Sequence, residues 1–289
     1  ASKGHILIDK IRGDDNYIFS NLGDANAVQA NLLGLVSDGY ELGVVESVNA
    51  TNNSYVGFAW DAGTSTVSNT DGSITSSVRA NASAGISIVS FTNAAGTVGH
   101  SLSAAPEFII TKRRDASYTW SVYTKSTTKD AYLGLNTTSA AGAVSGMWGS
   151  AEPTSSVFGT TFYVAPIGSS MIAYCFAPVN GFSAMGSYVG NGSADGPFVY
   201  TGFRPALVLG KRSDAANGWF IFDSKRDSYN VADAYLAANA SAAEQTFTFA
   251  DFLSNGFKLR STTSDWNGSS GTILYIAFAE HPFKTARAR

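Results

Sequence analysis

A chain of 289 residues with a formal net charge of −3 offers no broad basic surface for nucleic acid. Its one cysteine rules out an intrachain disulfide framework, and no run of apolar residues is long enough to cross a membrane as a helix. Charged residues make up 14%, below the roughly 25% of an ordinary domain, while 29 glycines and 12% aromatics punctuate short apolar runs, so the composition predicts an all-β protein.

In chain order, the first predicted strand is His5-Ile6-Leu7-Ile8-Asp9, and a hairpin-like stretch reads Ser37-Asp38-Gly39-Tyr40-Glu41-Leu42. Next comes Tyr55-Val56-Gly57-Phe58-Ala59-Trp60, whose pattern of large, small, Phe, Ala returns as Tyr174-Cys175-Phe176-Ala177 and Ile276-Ala277-Phe278-Ala279. Alternation along a strand puts Val56/Phe58, Tyr174/Phe176 and Ile276/Phe278 on one face, filling a core. It puts Gly57/Ala59, Cys175/Ala177 and Ala277/Ala279 on the other, where a neighbour packs too closely for large side chains.

More of the chain repeats. Pro106-Glu107-Phe108-Ile109-Ile110-Thr111-Lys112-Arg113 matches Pro205-Ala206-Leu207-Val208-Leu209-Gly210-Lys211-Arg212. Trp120-Ser121-Val122-Tyr123 matches Trp219-Phe220-Ile221-Phe222 at the same interval, and the strand at His5 fits the one at Trp219. The hairpin from Ser37 fits Ser254-Asn255-Gly256-Phe257-Lys258-Leu259. Repetition of this kind predicts tandem modules: residues 1–62, a Ser/Thr/Asn-rich connector at 63–84, residues 85–179, and residues 180–289 ending in a short basic tail. The expected architecture is a series of antiparallel β-sandwich modules of jelly-roll or concanavalin type. The first is incomplete at its N-terminus, because nothing precedes residue 5 to match residues 206–211. The expectation is that a longer polypeptide or another chain supplies that strand, since an unfilled sheet edge is sticky. Residues 230–250, rich in Ala, admit at most a short helix.

Chemistry is sparse in this sequence. No Gly-x-Ser-x-Gly elbow occurs. His5, His100 and His281 are far apart and read as surface or cap histidines. Cys175 occupies a small-residue position and reads as a buried filler. The six glutamates share no motif, although paired carboxylates of a glycosidase are a spatial feature that spacing does not reveal. The loops at 69–71 and 191–195 have turn chemistry that also suits calcium less well. No catalytic residue, metal ligand or cofactor is assigned. Trp120 and Trp219 sit in apolar strands as core residues, and Trp60 as core or interface. Trp148 and Trp266 lie in polar loops and are the candidate ligand-binding residues, as rings that could stack on a sugar; the competing reading folds each back over its own module.

Several blocks resemble one family: residues 60–74 from Trp60-Asp61-Ala62-Gly63, residues 186–205 through Gly190-Asn191-Gly192-Ser193-Ala194-Asp195-Gly196-Pro197, residues 254–260, and residues 277–284 through Ala277-Phe278-Ala279-Glu280-His281-Pro282. They look like a domain of uncharacterised function that recurs in structural proteins of tailed, often marine, phages. In those proteins a concanavalin-like or SPRY-like sandwich often precedes this region. The resemblance implies a non-enzymatic virion protein, assembled in the bacterial cytoplasm, most simply a tail fibre or appendage for host attachment. Capsid decoration or a head fibre is the alternative, and a tail glycan depolymerase a remoter one. It implies other virion proteins as partners, a homo-oligomer with a trimer favoured, a host surface glycan as ligand, and neither nucleic acid nor membrane. The basic tail could dock on an acidic neighbouring subunit.

Overall fold

The computed structural model describes residues 3–37 and 39–281. The proposed docking of the basic tail at 284–289 lies outside them. The first module contributes β1 (Ile6–Leu7), β2 (Asn16–Phe19), β3 (Ala27–Val28), β4 (Leu33–Val36), β5 (Gly39–Leu42) and the single turn α1 (Glu46–Asn49). The second contributes β6 (Val67–Asn69), β7 (Ser76–Asn81), β8 (Ile86–Thr92), β9 (Gly96–Gly99), β10 (Phe108–Arg113), β11 (Ser121–Thr124), β12 (Ala131–Tyr132), β13 (Gly142–Ala143), β14 (Val157–Thr160) and β15 (Ser170–Phe176). The third contributes β16 (Ser183–Val189), β17 (Phe198–Tyr200), β18 (Pro205–Arg212), β19 (Phe220–Asp223), β20 (Ala232–Ala237), β21 (Gln245–Leu253), β22 (Gly256–Leu259), the turn α2 (Ser264–Asn267) and β23 (Thr272–Ala279). The protein is all-β, built from antiparallel sheets with these two short helices.

The second module's main sheet runs β11-β10-β15-β8-β7-β6, and the third's runs β16-β23-β18-β19-β20-β21-β22-β17. The repeated blocks are structurally equivalent: β10 and β18 each lie between two partners, β11 and β15 in one module, β19 and β23 in the other. Two expectations need correction. The residues assigned to a connector, 63–84, hold β6 and β7, which widen the second module's sheet. The stretch 230–250 holds β20 and β21 rather than a helix, because Ala232 and Ala234 are buried on either side of exposed Asp233, the two-residue period of a strand.

The first signature segment, 55–60, departs from expectation: it forms no strand, and Gly57 and Ala59 are exposed. The other two are strands with residues packed on both faces. The small face, Ala173, Cys175 and Ala177, belongs to the second module's own core, and Ala277 and Ala279 belong to the third's. The large face, Ile276 and Phe278 with Tyr174, Phe176 and Phe58, enters one apolar cluster shared by all three modules. Within it Phe176 and Phe278 meet edge-on at 5.8 Å, and Trp60 packs on both at 6.4 and 5.3 Å. Trp60 remains 40% exposed, at the rim of this cluster.

The modules close into a ring through one recurring contact. Trp120 of the second module donates its Nε1–H to Phe19 O and Leu22 O of the first, at 3.0 and 3.1 Å. Trp219 of the third donates to Gly134 O of the second at 2.8 Å. His5, at the same repeat position in the first module, donates from Nε2 to Ala237 O of the third at 3.0 Å. The acceptors are themselves equivalent, since each lies two residues before an asparagine whose Oδ1 accepts from the backbone N–H of His5, Trp120 or Trp219. Ser20 reinforces the closing seam by donating its hydroxyl to Ala238 O at 2.7 Å.

Two buried lysines follow the same rule. Lys112 donates to Gly23 O, Tyr118 O and Arg113 O, each at 2.9 Å, and Lys211 donates to Thr138 O and Asn217 O. Each is a strand residue whose ammonium crosses to the preceding module and satisfies carbonyls that would otherwise be buried bare. An ion pair also recurs. Asp9 caps the turn after β1 by accepting from Ile11 N and Arg12 N while its carboxylate binds Arg12 Nε; Asp223 does the same for Lys225 N, Arg226 N and Arg226 Nε. In the second module Thr124 and Thr127 replace the pair with a hydroxyl contact at 2.9 Å.

His5 and His100 are not the surface histidines expected. His100 is fully buried, accepting at Nδ1 from Leu102 N and donating from Nε2 to Thr154 O. Burial holds both imidazoles below the usual histidine range. Their stability contribution is therefore complete above about pH 6.5, the ordinary histidine value, and declines below it, where the unfolded chain binds protons that the folded chain refuses. His5→Trp restores the residue the other two modules use at this seam. It is expected to leave the fold intact and to reduce the loss of stability between pH 7 and pH 5, measured as urea midpoints at both values.

Candidate functional site

Neither of the two tryptophans singled out from the sequence is at the surface. Trp148 is 1% exposed and packs edge-on against Tyr123 at 5.8 Å. Trp266, carried on α2, is 0% exposed and lies 4.5 Å from Phe249 and 5.2 Å from Phe222. A β-carbon at Gly210 would come within 2.8 Å of its ring, so the strand beneath has been thinned to admit it. These rings have no free face for a sugar. The polar residues around them form the turns that fold each indole inward, which is the competing reading of the sequence. Trp148→Ala or Trp266→Ala is expected to cost about 3–5 kcal/mol of stability, as for other buried aromatic truncations, read by chemical denaturation.

The exposed aromatics lie elsewhere. The loop between β14 and β15 carries Phe162 and Tyr163, 57% and 43% exposed, with ring centroids 4.0 Å apart, and Ile167 at 57%. The loop is held firmly. Val164 and Ala165 plunge into the second module's core. Asn93, at the end of β8, is buried beneath the loop and donates from Nδ2 to Thr161 O and Ala165 O while accepting from Thr160 Oγ1. Its own backbone binds Ser169 O and Gly168 N, both at 2.8 Å. One asparagine thus ties both ends and the floor of the loop, so its apolar tip is presented without ordering cost at binding.

A polar depression of about 260 Å³ lies at the same end of the module. It is lined by the hydroxyls of Ser68, Thr75, Ser77, Ser90, Thr92 and Ser170, with Arg114 among them. Thr92 and Ser170 are also the last paired rung before the aromatic loop. Arg114 Nε is buried without a hydrogen-bond partner, an unusual state for a guanidinium. The hydroxyls and the underused cation of the depression suit a polyhydroxylated ligand carrying an acidic group, and the rigid apolar tip is a separate exposed surface. Two sequence signals mark these surfaces: the adjacent Phe162-Tyr163 pair before Pro166, and the third residue of Lys112-Arg113-Arg114.

The remaining candidates take structural places. Burial pushes the Cys175 thiol up to about 12, so it is not a thiolate at neutral pH. Glutamates are tied one by one: Glu107 to Lys125, Glu244 to Arg226, Glu280 to Arg204, and Glu152 to the Tyr123 hydroxyl. Asn69 closes its turn on Asp71 and Ser101, and Asn191 closes its own on Asn267. Among the described residues no group of three or more His, Cys, Asp or Glu gathers as metal ligands would.

No curated protein and no solved structure matches the chain. One family model does, over residues 1–282, nearly the whole length. The chain therefore belongs to the family described as a domain of unknown function, DUF7483.

Proposed function

We propose that this chain is a non-enzymatic structural and attachment protein of a phage virion, an appendage that holds a host surface glycan at the free end of its second module. The observations that carry the binding part are the rigid Phe162-Tyr163-Ile167 tip and, separately, the hydroxyl-lined depression at Arg114. Adhesion to a saccharide asks for apolar faces that stack on sugar rings, hydroxyls that exchange hydrogen bonds with sugar hydroxyls, and a cation where the sugar is acidic. The virion setting is supported by the resemblance of residues 60–74, 186–205, 254–260 and 277–284 to phage structural proteins. An appendage working outside a cell also benefits from slow unfolding, which a ring with extensive sheet pairing and a shared core favours. Multiple copies on one particle would convert modest affinity into firm attachment.

A second reading, a component whose contacts are mainly to other virion proteins, is favoured by β1. Among the described residues that strand pairs only with β2 and leaves its other edge open.

The test is a glycan-array screen with the purified chain, followed by titration of the best acidic saccharide. Phe162→Ala with Tyr163→Ala, and separately Arg114→Ala, are expected to weaken binding about tenfold or more, while Trp60→Ala leaves it unchanged. Binding to no glycan, together with antibody label over the phage head rather than the tail, would favour the second reading.

A further inference from the structure

Among the described residues, the first module has two segments, β1 and 55–60, with an edge that no strand pairs. In the second module, β10 is sandwiched between β11 and β15; in the third, β18 is sandwiched between β19 and β23. The first module's equivalents of these flanks are β1 and residues 55–60. The sheet containing β1 runs β1-β2-β3, so one edge of β1 is unpaired. Residues 55–60 form no strand, and their backbone makes no hydrogen bond among the described residues. Yet this segment is in its repeat position. Phe58 and Leu7 both pack on the shared core, and Trp60 sits against Phe176 and Phe278.

A second, independent feature lies beside these edges. The strand in each complete module ends in Lys-Arg, and its lysine binds one carbonyl of the preceding module and one from its own next strand entry. For the second module these are Gly23 O and Tyr118 O; for the third, Thr138 O and Asn217 O. The alignment that superposes Asn21, Asn136 and Asn239 makes Ser241 O and Lys3 O the corresponding pair for the first module. Neither oxygen accepts a hydrogen bond among the described residues. Two open edges and two open carbonyls thus define the complement of one strand.

We propose that the first module accepts an extended β-strand from outside these 289 residues. The strand has the pattern the chain itself carries twice: Pro, one variable residue, three apolar residues, a small or short polar residue, then Lys-Arg. It lies antiparallel to both β1 and residues 55–60, with alternate apolar side chains on Phe58 and Leu7 and its lysine ammonium on Ser241 O and Lys3 O. This is strand addition, in which backbone pairing supplies affinity and the side chains supply register. It is independent of the glycan reading, since it uses the opposite end of the sequence and none of the same residues.

The experiment uses fluorescein-labelled peptides added to the purified chain and followed by anisotropy. One has the sequence of residues 205–212, a second replaces its lysine by norleucine, and a third is scrambled. The expected result is saturable 1:1 binding of the first, at least tenfold weaker binding of the second, and none of the third. Val56→Pro removes a backbone N–H from an edge that makes no bond in the free chain, so it should leave the urea midpoint unchanged and weaken peptide binding at least tenfold. Equal binding of the scrambled peptide, or binding unaffected by Val56→Pro, would overturn the proposal. So would a stable dimer whose Ile6 and Val56 amides are protected from exchange and which the peptide does not dissociate, because a second copy would then be the occupant.

Discussion

The structure depends on three side-chain N–H groups that cross from one module to the backbone of the next. His5, Trp120 and Trp219 occupy one repeat position, and Ala237 O, Phe19 O and Gly134 O are one repeat acceptor. Each hydrogen bond contributes only about 1 kcal/mol net. The large term is apolar: each indole ring removes on the order of 150–250 Å² from water. The hydrogen bond fixes where that ring goes. Three identical head-to-tail contacts either propagate or close, and here the third returns to the first. The histidine at the closing seam keeps the donor in a smaller ring, and makes the donor itself titratable, as the two indoles are not.

The signature strand explains how a ring of sheets is held with so few charges. Its large residues face the common core and its small residues face the module's own core, so a single strand seals two apolar layers. In the second and third modules the small side holds Ala or Cys because an inner layer that includes a buried tryptophan lies over the sheet. Lys112 and Lys211 show the cost of the arrangement. Burial lowers both ammonium groups to about 8, and carbonyls of the neighbouring module are the partners that make such burial tolerable. The modules are therefore joined by polar contacts at their margins and by aromatic packing at the centre.

Much of this was legible in the sequence. The repeat was visible from Pro106 and Pro205, from Trp120 and Trp219, and from the three Phe-Ala segments, two of which are strands with the same task. The all-β class followed from alternation and turn residues. Ring closure was not legible, since a contact between His5 and Ala237 leaves no local periodicity. The connector at 63–84 hid two strands because Ser, Thr and Asn serve an exposed sheet margin as readily as a loop. Residues 230–250 concealed strands because alanine fits a crowded inner face despite its helical preference. The exposed aromatic tip was missed for a related reason. Trp148 and Trp266 have polar neighbours in sequence, but those neighbours build the turns that bury them, whereas Phe162 and Tyr163 are held outward by Asn93, far away in the chain.

Closure of the ring is the central claim, and a disulfide across its last seam tests it most directly. In a Cys175→Ala background, which installs the residue found at Ala277, Ser20→Cys and Ala238→Cys put one thiol on each side of the seam where the Ser20 hydroxyl now meets Ala238 O. Oxidation during refolding is predicted to give an intramolecular bond, seen as a faster-migrating monomer on a non-reducing gel, with a raised urea midpoint. A chain that stays reduced, or that links only between molecules, would contradict the closed ring.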